Sequence, residues 1–214
     1  MNKKILIVGA GGFGREICSY LLHDGFNVIG FIDDNPNALD GFSYTYPVVS
    51  SIQDFVPEEN THLVLAVADP QTRQKIYYCL KEKRASFLTF IHSSAFCGQN
   101  IEIGDASIIT PSCILTSDIS LGISVIINTN STIGHDCTVG DFSTLNGKVE
   151  ITGNNKIGGK CLFGVGALVI PNKIIEDEVV VGAGSVVIRR AKKGHTYFGN
   201  PSRAIAIPHE KIER

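Results

Sequence analysis

From Ile91 onward every sixth residue is apolar: Cys97, Ile103, Ile109, Leu115, Leu121, Ile127, Ile133, Val139, Leu145, Ile151, Ile157, Phe163, Val169, Ile175, Val181 and Val187 extend the register without a skip. Apolar residues make up 43% of the chain, so composition alone does not produce an unbroken run of that length. A period of six matches neither the 3.6 of an α-helix nor the two of an isolated strand. It matches a short strand plus a corner, repeated, with each anchor turned inward. A second track supports this, because the position four after an anchor is usually small: Ser107, Cys113, Val125, Ser131, Cys137, Ser143, Val149, Cys161, Ala167, Val179 and Ser185. Glycine often follows the anchor, as at Gly98, Gly104, Gly122, Gly134, Gly140, Gly158, Gly164 and Gly182, where it is expected to relax the backbone at the corner. Three sides close a coil, with coils beginning near Ile103, Leu121, Val139, Ile157 and Ile175, and stacked anchors fill a continuous aliphatic column. A β-sandwich would alternate with period two between irregular loops and would not hold this register.

Before Ile91 the pattern differs. Ile5 to Val8, Asn27 to Ile32, His62 to Ala68 and Phe87 to Ile91 read as strands. Helical stretches at Arg15 to Leu22 and Gln71 to Lys83, the second opened by Pro70, alternate with them. This βαβ rhythm is that of a parallel sheet, and four strands make about half of a dinucleotide-binding domain. The expected organisation is a half-Rossmann α/β region over residues 1–90, an all-β parallel β-helix over 91–188, and a segment over 189–214 that leaves the register and folds back as a cap or edge.

Lys+Arg 19 against Asp+Glu 21 leaves no basic surplus for a nucleic-acid backbone. No apolar run reaches the ~20 residues of a membrane helix, and the Ile5 to Ala10 run stops at glycines, so neither a signal peptide nor a span is expected. Six cysteines without a CxxC pair read as reduced packing residues of a cytoplasmic protein.

The motifs Gly9-Ala10-Gly11-Gly12-Phe13-Gly14-Arg15-Glu16, Gly30-Phe31-Ile32-Asp33-Asp34, Asn128-Thr129, Ile133-Gly134-His135-Asp136-Cys137-Thr138-Val139-Gly140-Asp141-Phe142 and Gly199-Asn200-Pro201 resemble the hexapeptide-repeat acyltransferases. In particular they are similar to the bacterial sugar acetyltransferases of the sialic-acid O-acetyltransferase and bacillosamine N-acetyltransferase type. The resemblance covers nearly the whole chain. It implies a left-handed β-helix, a homotrimer with acetyl-CoA in grooves between neighbouring coils, a nucleotide-linked amino sugar held by the N-terminal region, and a place in cell-surface polysaccharide biosynthesis. It assigns His135 as catalytic base with Asp136 as its carboxylate partner, where relatives often carry Glu. It puts substrate contacts at Gly11, Gly12, Phe13, Asp33, Asp34, Ala68, Gln71 and Asn128, and acyl-donor contacts at Thr144, Val165 and Ala183.

The residues themselves are compatible with this chemistry. His135 lies two positions after an anchor, off the interior track, and an imidazole can accept a proton near neutral pH as an amine or hydroxyl attacks a thioester. Asp136 would orient the ring and stabilise the imidazolium; as a polar corner residue it also needs no function. His135, Asp136 and Cys137 do not make a metal site, since consecutive strand residues point to alternating sides. Cys137 falls on the interior track, which disfavours an acyl-cysteine and favours direct transfer. The Gly9-x-Gly11-x-x-Gly14 run after a strand offers helix-start amides to phosphate, with Asp33 placed to meet ribose or sugar. A dinucleotide cofactor would want a second nucleotide-binding half. The expected activity is acetyl-CoA-dependent N-acetylation of a nucleotide-linked amino-deoxy sugar, without metal, nucleic acid or membrane. O-acetylation of a sialic acid and a non-catalytic nucleotide-binding trimeric module remain open at this point.

Overall fold

The computed structural model describes residues 3–205. The N-terminal region contains β1 (Lys4–Val8), α1 (Gly12–His23), β2 (Asn27–Ile32), β3 (Val48–Ser50), β4 (Thr61–Leu65), α2 (Pro70–Glu82) and β5 (Ser86–Phe87). Its strands form one parallel sheet in the order β3-β2-β1-β4-β5. Alternation along β1 sends Ile5 and Ile7 against Ile17, Cys18 and Leu21 of α1, and Leu6 and Val8 against Tyr77 and Leu80 of α2. The sheet is thus covered on both faces.

Three details depart from expectation. The short edge strand β3 has no period of its own and escapes pattern reading. β4 ends at Leu65, because Ala66 to Asp69 leave the sheet and Asp69 becomes the N-cap of α2. The stretch Phe87 to Ile91 divides: Ser86–Phe87 pairs with β4, whereas Phe90–Ile91 pairs with Ile108–Ile109 and starts the coil.

The coil is the parallel β-helix that the hexad register predicts, with strands eighteen residues apart stacked in three faces. The first face holds Phe90–Ile91, Ile108–Ile109, Ile126–Ile127, Thr144–Leu145, Leu162–Phe163 and Val180–Val181. Phe96–Cys97, Ile114–Leu115, Thr132–Ile133, Glu150–Ile151, Leu168–Val169 and Val186–Val187 make the second. The third holds Ile101–Ile103, Ile119–Leu121, Thr138–Val139, Lys156–Ile157 and Ile174–Ile175. Anchors from Ile109 to Val187 are buried in one cluster with the small track. Ile91 and Cys97 are exposed and Ile103 is half-buried, since they lie at the open end of the column with no coil beneath them.

Every sixth residue from Asn100 to Gly184 has φ between 51° and 70°, and only Gly166 and Gly184 among them are glycine. Each corner therefore turns on one left-handed residue, usually at a cost of ~1–2 kcal/mol for a side chain. A regular hydrogen bond offsets that cost: Asp118 N to Gln99 O, Asp136 N to Ser117 O, Asn154 N to His135 O and their equivalents tie each corner to the coil below. The sequence pattern assigns backbone relaxation to the glycine after each anchor, and the structure corrects this. The φ of such a glycine is not positive, and a Cβ at Gly140 would lie 2.5 Å from Gly159 N. Those glycines let successive corners touch. The small track also carries polar work: Ser131 Oγ accepts from Val149 N at 3.1 Å and donates to Asn146 O at 3.0 Å.

The first face is covered from outside by the N-terminal region, with Phe90, Ile108 and Ile126 packed among the side chains of β1 and α1. Beyond the coil, Thr196–Phe198 adds to the first face beside Val180–Val181 and pairs antiparallel with Arg203–Ile205. The expected terminal segment past Ile205 lies outside the described residues, and no helix among them is long and apolar enough to cross a membrane.

Candidate functional site

A cavity of about 550 Å³ opens where the chain leaves β1, β2 and β4, walled by Gly9, Gly11 to Gly14, Asp33, Ala66 to Asp69 and Thr72, and on the coil side by Asn146 and Leu162. β1 has β2 on one side and β4 on the other, so this is the switch point at which an open parallel sheet binds ligands. Gly11 is the N-cap of α1 and supplies no side-chain cap, and the first helical bond runs from Arg15 N to Gly11 O. The amides of Gly12, Phe13 and Gly14 are left for a ligand, at the positive end of the helix dipole. Gly14 leaves no room for a Cβ against Gly9 O, so the helix starts tight on the strand end. Asp33 is fixed by Ala10 N (2.7 Å to Oδ2) and Asn35 N (2.9 Å to Oδ1), and Asp69 by Thr72 N (2.8 Å). Two oriented carboxylates beside a row of amides suit hydroxyls at one end and phosphate at the other.

Of the residues expected to meet substrate, Gly11, Gly12, Phe13, Asp33 and Ala68 line this cavity. Asp34 instead accepts from Ile52 N at 2.8 Å, and Gln71 sits exposed in the first turn of α2. Asn128 lies on the coil, its Oδ1 taken by Thr129 N at 2.7 Å. Asp69, Thr72, Asn146 and Leu162 were not foreseen. The first two were readable as an N-cap pair around Pro70; the coil residues carry no local signal.

His135 and Asp136 stand at the corner between the second and third faces. His135 Nδ1 lies 2.6 Å from Asp136 Oδ2, and both side chains are exposed in the single chain. With a carboxylate as acceptor, Nδ1 carries the hydrogen and Nε2 keeps a lone pair. The ring lies over Gly153 of the next coil: a Cβ there would come within 2.6 Å of Nε2. Gly153 N donates no hydrogen bond among the described residues. Asp136 occupies a left-handed corner position, φ 59°, in a column with Asn100, Asp118, Asn154 and Asn172. Asp and Asn tolerate that conformation better than Glu, although Glu178 adopts it at another corner of this coil. The neighbouring thiol is no nucleophile: Cys137 is buried, and burial raises its pKa, as it does that of Cys161, pushed up to about 11.

The expected donor positions split. Val165 and Ala183 are exposed at the corner between the first and second faces, one position beyond the column that holds Asn128 and Asn146. Thr144 is only 1% exposed, and its hydroxyl donates to Ala68 O at 2.8 Å, so it belongs to the seam between coil and N-terminal region. The cavity and the donor corner therefore border one edge of the second face, and the His135 corner borders the other. A side of six residues spans at most roughly 20 Å. Outward residues distinguish the two uncovered faces. The second presents Phe96 (60% exposed), Ile114 (43%), Thr132, Glu150, Leu168 and Val186, four of the six apolar, whereas the third presents Glu102, Ser120, Thr138 and Lys156 before Ile174.

Residues 4–80 match the family model described as the PglD N-terminal domain. GDP-perosamine N-acetyltransferase of Escherichia coli O157:H7 is 27% identical over 217 residues, spanning 92% of this chain and 94% of that protein. UDP-3-O-acylglucosamine N-acyltransferase of Herminiimonas arsenicoxydans is 31% identical over 102 residues, 48% of this chain and only 29% of that protein's length. Among solved structures, the acetyltransferase domain of PglB from Neisseria gonorrhoeae FA1090 superimposes with a TM-score of 0.88 at 25% identity, over 95% of this chain and all of that one. PerB from Caulobacter crescentus, in complex with CoA and GDP-perosamine, gives 0.87 at 26% identity over 95% and 97%.

Proposed function

We propose that this left-handed β-helix sugar acetyltransferase, with its PglD-type N-terminal domain, moves an acetyl group from acetyl-CoA to the amine of a nucleotide-linked amino-deoxy sugar. The observation that carries the reading is the His135–Asp136 pair, 2.6 Å apart, with Nε2 free over Gly153. The neutral amine attacks the thioester carbonyl while His135 Nε2 removes its proton, and Asp136 stabilises the imidazolium. The open Gly153 N–H is the candidate donor to the oxyanion. Collapse of the tetrahedral intermediate expels the CoA thiolate, which takes the proton back from His135, giving amide and thiol.

The switch-point cavity would hold the nucleotide sugar, with phosphates on the amides of Gly12 to Gly14 and hydroxyls on Asp33; Gly11, Phe13 and Ala68 wall it. Asp34 would act through the loop it holds, Gln71 from the rim, and Asn128 in positioning the reacting group. Val165 and Ala183 would flank acetyl-CoA, with Thr144 behind them in the seam. Reaction needs the amine within hydrogen-bond reach of the base, yet cavity and base border opposite edges of one face. A second copy seated on that face brings its own corner to the cavity, and the exposed Phe96 and Ile114 with the half-buried Leu168 and Val186 give such a copy an apolar seat at either end of the face. Repeated around a three-fold axis, this makes a homotrimer with sites between copies. Six free thiols fit a cytoplasmic enzyme.

The test is thiol release from acetyl-CoA with nucleotide-linked amino sugars and, in parallel, sialic acids, for wild type and His135→Ala. Turnover of an amino sugar, lost in the variant, is the expected result. Turnover with sialic acids alone would replace N- by O-acetylation, and turnover that survives His135→Ala would remove the base.

A further inference from the structure

Among the described residues Arg73 is the largest fully buried side chain, 0% exposed, although it carries a charge and no carboxylate oxygen there hydrogen-bonds to it. Its donors all go to backbone carbonyls. Nη1 reaches Val67 O (2.8 Å) and Ala68 O (2.9 Å), both in the loop that walls the cavity. Nε reaches Ser124 O (3.1 Å), and Nη2 reaches Phe142 O (2.6 Å) and Ser143 O (3.3 Å), on two successive corners of the coil. Burial lowers the guanidinium pKa to about 9, which leaves it ionised at neutral pH. Ala68 O is held a second time, by the Thr144 hydroxyl at 2.8 Å.

An ion buried this completely, with the Asp69 carboxylate acting on it only through space and no carboxylate hydrogen-bonded to it, is an expensive way to close a seam. Elsewhere the interior of the same seam is closed by apolar side chains, around Phe90, Ile108 and Ile126 and again around Tyr77, Phe87 and Phe142, and its polar links, Asp24 with Ser93 and Asp105 with Tyr77 and Lys81, lie nearer its rim. The ion occurs where the cavity wall passes from the sheet region to the coil. Asn146 and Leu162 line the cavity from the coil side, so the distance between them and Val67 to Asp69 sets its width. The planar fork of Arg73 fixes that distance through five bonds that a lysine cannot reproduce.

We propose that Arg73, assisted by Thr144, is a positioning residue that sets the cavity-wall loop against the coil and thereby controls the fit of the nucleotide sugar, a role that rests on the reading of the cavity given above. Arg73→Lys and the milder Thr144→Val test it by steady-state kinetics toward each substrate, combined with amide hydrogen exchange. The expected result is a nucleotide-sugar KM raised about ten-fold in Arg73→Lys and about three-fold in Thr144→Val, from bonds of ordinary strength. The KM for acetyl-CoA should stay within about two-fold, with exchange faster at residues 66–69 and unchanged in β1. A fall in melting temperature with both KM values unchanged would make Arg73 a structural staple and overturn the proposal. So would a parallel rise of both KM values with exchange accelerated throughout the sheet. If Arg73→Lys does not fold, Thr144→Val decides, since it removes one hydroxyl. If wild type acetylates no nucleotide amino sugar, the functional reading fails while exchange at 66–69 still judges the clasp: unchanged protection there in Thr144→Val would overturn it.

Discussion

Replacing Gly153 by alanine separates catalysis from stability in this coil. Gly153 has no positive φ, so alanine fits the backbone there. Its Cβ would stand 2.6 Å from His135 Nε2 and 2.7 Å from Cε1, with no backbone atom among its three nearest neighbours. Ordinary carbon contacts begin near 3.5 Å, so the ring must move by roughly 1 Å. His135 is an exposed side chain and can do so without disturbing the coil. Stability should then change by less than about 1 kcal/mol, as the lower chain entropy of unfolded alanine offsets the contact. A base displaced by 1 Å, in contrast, costs on the order of 10²-fold in rate, or about 2.7 kcal/mol of barrier. Gly140→Ala is the matched control. Its Cβ would meet Gly159 N at 2.5 Å and Gly158 C at 2.6 Å, both backbone atoms that cannot step aside. That variant should lose about 1–3 kcal/mol of stability, a fall of several degrees in melting temperature. The assay is thiol release at saturating substrates beside a thermal melt. If Gly153→Ala keeps kcat within three-fold of wild type, or melts as early as Gly140→Ala, the reasoning about the ring and its shelf is wrong.

Two further outcomes follow from groups outside the site. The Asp24 side chain is 7% exposed, where it joins the end of α1 to the first coil through Ser93 N (2.8 Å), Ser93 Oγ (2.7 Å) and His23 Nδ1 (3.1 Å). Burial opposes its charge, but those hydrogen bonds outweigh it and hold the carboxyl below the usual range. A depressed carboxyl contributes stability above its unfolded value near ~4, which is lost as pH falls through the lower folded value. Asp24→Asn should therefore destabilise by about 2 kcal/mol at pH 7, and its melting temperature should converge on that of wild type below pH 4; a gap independent of pH would contradict the ionic account. Thiol titration should find Cys97 reacting first in the native protein, with Cys113, Cys137 and Cys161 appearing only in denaturant. Fast labelling of Cys161, whose thiol burial pushes up to about 11, would mean that the column opens.

The hexad from Ile109 to Val187 was legible because one physical requirement, an inward side chain at each short strand, recurs at fixed spacing in sequence. The glycine loop and Asp33 were legible for a similar reason: a phosphate-binding turn needs its residues within a few positions of one another. What escaped was whatever depends on two distant segments meeting. Asn146 and Leu162 become cavity residues only when the coil docks on the sheet. Arg73, in an ordinary amphipathic helix, gives no hint that it bonds across 51 and 70 residues of chain. The reason for the coil glycines was missed on the same ground, since contact between corners eighteen residues apart is not a local property.

On the proposed function, these meetings also explain why both halves are needed for one active site. The sheet region can orient a nucleotide at its switch point, but among the described residues its cavity offers no histidine. The coil carries the proposed base, His135, and its carboxylate partner, but in a single chain leaves them exposed. A thioester attacked there would meet water as readily as an amine. Seating the His135 corner of one copy against the cavity of another would supply the base to the sugar and remove the solvent in the same step. On that arrangement the first contact set by Arg73 within a chain and the second set by the apolar face between chains are successive parts of one positioning problem. An error in either would reach the amine as a displaced sugar, so variants at the seam and at the face should fail in the same kinetic parameter, the KM for the nucleotide sugar, before they fail in folding.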